Sequence, residues 1–229
     1  VNFFRQQVSI KGGYLWRYSH DLSLREGEGQ ASATTAWVQP PGTPSVGNAL
    51  LQAFQNTGDD YYLEAATETA HALVAGQLKS GGWDYRSTFD ASDRWKYAYR
   101  VLGEEAGSRN TSTLDDNTSQ SALRFLIRID QQLGFRDKQI HDAARYALQA
   151  LLRAQYPNGA WPQQYTEPAD PADYPVVRAS YPDSWSRTYP KNDYRGYYTL
   201  NDNNMTYIID MLFEAARNYQ REDCVIAAR

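Results

Sequence analysis

A phrase written twice constrains this chain more than any other feature. The run ALVAGQLKSGGW, from Ala72 to Trp83, aligns without gaps with ALLRAQYPNGAW, from Ala150 to Trp161. A second pair, TLDDNTSQSALRFL from Thr113 and TLNDNNMTYIIDML from Thr199, sets acids just before an apolar helical pattern each time. Internal repetition of this kind marks a fold made by stacking one supersecondary unit.

The unit is a helical hairpin. Val46, Ala49, Leu50, Ala53 and Phe54 recur at the spacing of one helix face, as do Ala122, Phe125, Leu126, Ile129 and Leu133. Ala143, Tyr146, Ala147, Ala150, Leu151 and Ala154 form a third stripe, and Met205, Ile208, Ile209, Leu212, Ala215, Ala216 and Tyr219 a fourth. A less tidy, Ala-rich stretch from Tyr61 to Leu78 also favours helix. The links NTGDD and GFRDK are short enough to join antiparallel partners. The expected architecture is all-α, an α/α toroid of stacked hairpins in a single domain, 1–229, with long loops on one rim. An N-terminal extension covers about 1–44, hairpin one about 45–83, hairpin two about 113–161, and hairpin three begins at about 199. Hairpins one and two each run on to a Gly-Trp stop, whereas the third reaches only REDCVIAAR. The chain is therefore read as the N-terminal part of a longer toroid, with an open apolar flank through which it is expected to self-associate.

The repeat also selects a face. If hairpins pack side by side, Asp115, Asp116 and Asp202 converge on one rim with Asn117, Asn201 and Asn203. Oxygen donors of this kind suit a hard cation, calcium above all. Helix capping alone would also place an acid at each position, but capping needs one acid, not two in a row. Cations gather near the same rim: Arg17 and Arg25 from the N-terminal extension, and Arg187, Lys191 and Arg195 from the late loop. Arg presents a fork that matches a planar carboxylate. Trp83 and Trp161, at hairpin ends, are expected to offer flat faces on which sugar rings stack. Metal-bridged carboxylates, Arg forks and stacking rings together suit an anionic sugar polymer.

Other classes are disfavoured. A net charge of -4 argues against nucleic acid. No apolar run approaches the roughly 18 residues of a membrane span. One cysteine, Cys224, allows no internal disulfide, and His20, His71 and His141 are too scattered for a zinc site. There is no phosphate loop, nucleophile elbow or zinc-protease helix.

At these residues the sequence resembles a known family. AQYPNGAWPQQY resembles the AQYPNGGWPQ signature of the family-ten pectate lyases, TLDDNTSQSALRFL resembles their TIDNGAT helix start, and TLNDNNM resembles their TFNDDAM. WRYSHDLSLREGEG is similar to an N-terminal region of pectic acid lyases. The resemblance implies an α/α toroid that cleaves polygalacturonate by β-elimination, with calcium between enzyme and uronate carboxylate. It implies metal and substrate roles for Asp115 and Asp202; Asp116 stands where the family has Asn, and Asn203 where it has a second Asp. The family's base is an arginine in a motif downstream of the third hairpin, past Arg229, so Arg187 and Arg195 are the substitute candidates. A secreted or periplasmic mature chain is expected. The alternative is a non-catalytic toroid that binds acidic glycan or needs a partner to complete its ring.

Overall fold

Each helical hairpin forms because its two helices have defined ends and one apolar stripe apiece. The computed structural model describes residues 1–177, 184, 193–197 and 200–229. In the N-terminal extension lie β1 (Arg17–Tyr18), β2 (Arg25–Glu26) and β3 (Thr35–Trp37). Hairpin one is α1 (Thr43–Thr57) and α2 (Asp60–Gly76). The following connection holds β4 (Arg86–Thr88), the short α3 (Ala91–Arg94) and β5 (Ser112–Thr113). Hairpin two is α4 (Thr118–Gln132) and α5 (Lys138–Arg153), followed by β6 (Gln164–Tyr165). Hairpin three is α6 (Asn204–Tyr219) and α7 (Glu222–Ala227).

The second helices of hairpins one and two, α2 and α5, begin on carboxylate caps. Asp59 accepts from the Tyr61 backbone N–H, and Asp137 accepts from those of Gln139 and Ile140. Such bonds satisfy donors that a helix start leaves unpaired. Between hairpins, α1 packs on α4 and α4 on α6, while α2 packs on α5. The first helices therefore line one layer and the second helices cover it, the arrangement of an α/α toroid. The apolar stripes meet between the layers: Phe125, Leu126 and Ile129 of α4, Ile140 and Leu148 of α5, and Ile208, Met211 and Leu212 of α6 are fully buried. At about 25 cal/mol per Å² of apolar surface, burial of this kind outweighs the helices' own marginal propensity.

The repeated phrase is repeated in space. The Trp83 indole N–H donates to the Leu73 carbonyl at 2.8 Å, and the Trp161 indole N–H donates to the Leu151 carbonyl at 2.9 Å. Each ring folds back over its own helix and ties up a carbonyl near that helix's C-terminal end. Trp83 is 0% exposed and Trp161 2%. This corrects the expectation that both offer stacking faces to a sugar: their rings belong to the core. Gly81 and Gly159 make the turn at φ +108° and +87°, a region that side chains disfavour.

Among the described residues three two-stranded antiparallel ribbons decorate the helices, β1 with β2, β3 with β4, and β5 with β6. Strands of two or three residues are too short to leave a sequence period, so the helical patterns gave no hint of them. Their effect is positional. β3–β4 pairs Trp37 with Arg86, fastening the N-terminal extension to the loop after Trp83. β5–β6 pairs Thr113 with Gln164, fastening the start of α4 to the loop after Trp161.

Candidate metal centre

The two acid-bearing phrases adopt the same backbone. Asp116 and Asn117 have φ of 49° and 59°, and Asp202 and Asn203 have φ of 52° and 56°. Two consecutive left-handed residues cost roughly 1–2 kcal/mol each outside glycine, least for Asn and Asp. The inner helices α4 and α6 start directly after these pairs, and neither Asn117 nor Asn203 makes a side-chain capping bond. The contrast with Asp59 and Asp137 is informative. The outer helices α2 and α5 spend an acid on capping, whereas the inner helices α4 and α6 start without a side-chain cap although acids precede them. Backbone strain of this sort concentrates at functional sites.

The turn Asp115–Asn117 packs against α6, so the two entrances are neighbours. A buried clamp holds them there: the Gln120 side-chain amide donates to Asn204 Oδ1 at 2.6 Å and to the Leu114 carbonyl at 2.7 Å. One carboxylate oxygen from each of Asp115, Asp116 and Asp202 then lies within 4.8 Å of the others. Two oxygens bound to one calcium, each at about 2.4 Å, lie at most about 4.8 Å apart. The three carboxylates therefore fit a single calcium-sized ion, and their hard oxygen chemistry fits its ligand preference.

Neighbours orient the donors. Tyr85 donates its hydroxyl to Asp115 Oδ2 at 2.7 Å. Gln39 donates its amide to Asp116 Oδ2 at 2.8 Å, while its own side-chain oxygen accepts from the Trp37 indole at 3.0 Å. Asn201 donates to Asp202 Oδ2. Desolvation pushes the Asp116 pKa up, and the charges of Asp115, Asp202 and Glu28 push it the same way against the Gln39 hydrogen bond. The Tyr85 hydroxyl is pushed up too, by burial and by these carboxylates. The cluster is short of positive charge.

Glu28 reaches this neighbourhood through a close approach. A Cβ on Gly27 would sit 2.0 Å from the Trp37 ring, so only glycine lets the loop after β2 lie against the indole. Gln39, Tyr85 and Glu28 were not singled out from the sequence. They come from three segments far from either phrase, and no local pattern marks them.

The sequence model of the pectic acid lyase family matches residues 84–226, more than half of the chain. The chain belongs to the pectic acid lyase family. No curated protein matches it. Among solved structures, a mutant family 10 polysaccharide lyase from Cellvibrio cellulosa in complex with trigalaturonic acid is similar at TM-score 0.59 and 16% identity, over 97% of this chain and 62% of that one. A D-mannose isomerase is similar at TM-score 0.55 and 15% identity, over 99% of this chain and 47% of that one. The chain thus spans less than two thirds of either structure's length. At such identities the likeness shows the shared helical toroid and no more, since one fold hosts unrelated chemistries.

Within this pectic acid lyase family member, the remaining candidates separate. Arg17 is exposed and paired with Glu26 at 2.6 Å, and Arg25 donates to the Leu22 carbonyl. Among the described residues no contact joins either to the three carboxylates. Arg195 forks onto Asp193, which holds its guanidinium more firmly charged, opposite to what a proton acceptor needs. Its carbonyl accepts from the Gln164 backbone, and Gln164 faces Thr113 across the β5–β6 ribbon, so this loop does border the rim. Arg187 and Lys191 lie outside the described residues.

Proposed function

We propose that this chain supplies the cation- and uronate-binding face of a pectate-lyase-type site, acting with calcium on polygalacturonate or a related acidic polysaccharide. One observation carries the reading: two repeated helix entrances, far apart in sequence, bring three carboxylates within 4.8 Å through matching left-handed turns. Family membership and a structural relative that holds trigalaturonic acid support the substrate class.

Asp115, Asp116 and Asp202 would hold the ion. An ion held there would supply positive charge beside the uronate carboxylate, where negative charge builds as the neighbouring proton leaves. Tyr85 and Gln39 fix the orientation of Asp115 and Asp116, and ordered second partners of this kind sharpen a metal site. In β-elimination the proton α to the carboxylate passes to a base, the β C–O bond to the next sugar breaks, and a C=C bond forms. The departing sugar oxygen takes up a proton. No group among the described residues is assigned as the base. A polysaccharide substrate is met outside the cytoplasm, so the proposal includes a secreted or periplasmic location.

The test is direct. Protein, calcium and polygalacturonate are mixed, and the ultraviolet absorbance of the unsaturated product is followed against a chelator control. Calcium-dependent absorbance supports the lyase. Absence of product with calcium-dependent polymer binding, lost in Asp115→Ala, selects the second reading, a glycan-binding toroid.

That second reading has its own observation. Beside α6 and α7 runs a cleft of about 670 Å³ bordered by Leu152, Met205, Ile209 and Ile226, the last 69% exposed. These apolar residues stand among polar ones, Arg153, Asp223 and Arg229 included, and such a mixed flank fits the partner-dependent form of that reading, self-association; a sedimentation profile that stays monomeric at high concentration would remove it.

A further inference from the structure

Against the β3–β4 ribbon lies a polar recess of about 260 Å³ that none of the three carboxylates lines. Arg86, Lys96 and Arg109 border it. Lys96 is paired with Asp93, the acid in its wall. Among the described residues neither guanidinium has a carboxylate partner. Each is held over a ring instead: Arg86 lies 5.8 Å from the Trp37 ring centroid and Arg109 5.4 Å from that of Tyr97. Arg5, Arg17, Arg100, Arg128, Arg195 and Arg221 are spent on Asp or Glu, whereas Arg94, also held over rings, spends its N–H groups on the Thr88 and Ala75 carbonyls.

A guanidinium over an aromatic face is fixed in place while its N–H edges stay free to bind in their own plane. The scaffold under both is firm. Arg86 is a ladder residue of β4. The Arg109 backbone bonds to Lys96 and Ala98, and Tyr97 stacks on Tyr99 with ring centroids 5.1 Å apart. Asp84 senses both positive charges but is itself half-buried and bonded to the Tyr85 backbone N–H. Ser32, Thr35, Ser87 and Thr88 add hydroxyls to the wall.

We propose that this recess is a second, metal-independent subsite that binds the carboxylate and hydroxyls of a uronate unit, with Arg86 and Arg109 as its forks. It rests on the acidic-polysaccharide reading for the identity of the ligand, but not on calcium or on turnover. Two forks and a hydroxyl wall match one acidic sugar: charge-assisted bonds for the carboxylate, neutral ones for the ring. Arg86 adjoins Tyr85, which bonds Asp115, so the recess and the metal centre share one ribbon.

The test uses the whole protein in excess chelator, which silences the metal centre. Backbone amide signals are followed while D-galacturonate, D-galactose or inorganic sulfate is added. The expected result is saturable shifts at Arg86, Lys96 and Arg109 with galacturonate, and none with galactose. The pair Arg86→Gln/Arg109→Gln is expected to weaken galacturonate at least about tenfold. Both arginines are exposed, and the same spectra report whether the variant folds; if it does not, Arg86→Lys/Arg109→Lys keeps the charges but removes the forks and should weaken binding likewise. Absence of shifts at these amides overturns the proposal. Equal binding of galactose overturns the carboxylate role, and sulfate binding as tight as galacturonate makes the recess a simple anion site. Loss of lyase activity with these shifts intact counts against the proposed function alone.

Discussion

Asp116 is the residue whose environment says most about the site. It sits in a left-handed turn, accepts from Gln39, and faces the negative charge of Asp115, Asp202 and Glu28. Its folded pKa lies above that of the unfolded chain, so ionising it works against the fold. The stability drawn from this group is full below the ordinary carboxylate pKa of about 3.9 and falls as pH rises through the raised value. Asp116→Asn is therefore expected to stabilise the calcium-free protein at neutral pH and to flatten its stability between those two pKa values. Urea unfolding across pH in chelator checks this; an unchanged slope counts against the charge crowding. Calcium must displace the proton, so affinity for it should weaken as pH falls through the same interval. Tyr85→Phe, which strips Asp115 of its hydroxyl donor, is expected to lower calcium affinity roughly ten- to a hundredfold. At this scale the acids were legible in the sequence because a repeated phrase carries them. Gln39, Tyr85 and Glu28 were not, since only the ribbons and Gly27 bring them near. Trp83 and Trp161 were misread for another reason. A Trp at a hairpin end has the same sequence signature whether its ring faces a sugar or folds back on its helix, and the indole bond to a carbonyl decides between them.

The helices divide acids between two jobs. Asp137 caps α5 and also accepts from His71 at 3.0 Å, so Asp137→Ala is expected to cost about 1 kcal/mol or somewhat more. Asp116→Asn, which keeps a residue that tolerates the left-handed turn, removes no cap and should not destabilise the calcium-free protein; a loss comparable to that of Asp137→Ala would return Asp116 to a capping role. The Trp folds are load points of their own hairpins. Trp83→Phe leaves the Leu73 carbonyl buried without its donor and is expected to cost about 1–3 kcal/mol in urea unfolding. Gly81→Ala should be severe, because its Cβ would meet the Ala150 Cβ at 2.1 Å at a φ of +108°. The long helices were readable because an apolar stripe of period 3.6 survives in sequence over four turns. The ribbons were not, because two paired residues have no period, and yet they carry Tyr85 and Arg86 to their places.

Across the whole molecule, the stacking of α1, α4 and α6 converts a repeat in sequence into a site. Each inner helix begins on the same rim, so any acid written at that position meets its counterpart from the next hairpin. The Gln120–Asn204 clamp keeps the two entrances in register. A ligand that binds only the folded state stabilises it by about 2.7 kcal/mol at one hundred times its Kd, which for a chain of this size raises Tm by roughly 5–11 °C. Calcium is expected to do so here, and chelator to reverse it. Among the described residues no helix is long and apolar enough to cross a membrane.

The most direct measurement is a calorimetric calcium titration of the wild-type chain beside Asp115→Asn and Asp202→Asn. The two residues stand on different hairpins, and the account makes them ligands of one ion. It predicts a single saturable site in the wild type that either substitution alone removes, with both variants folded by circular dichroism. Calcium binding that survives Asp202→Asn, or a wild type that takes up no calcium, would contradict it.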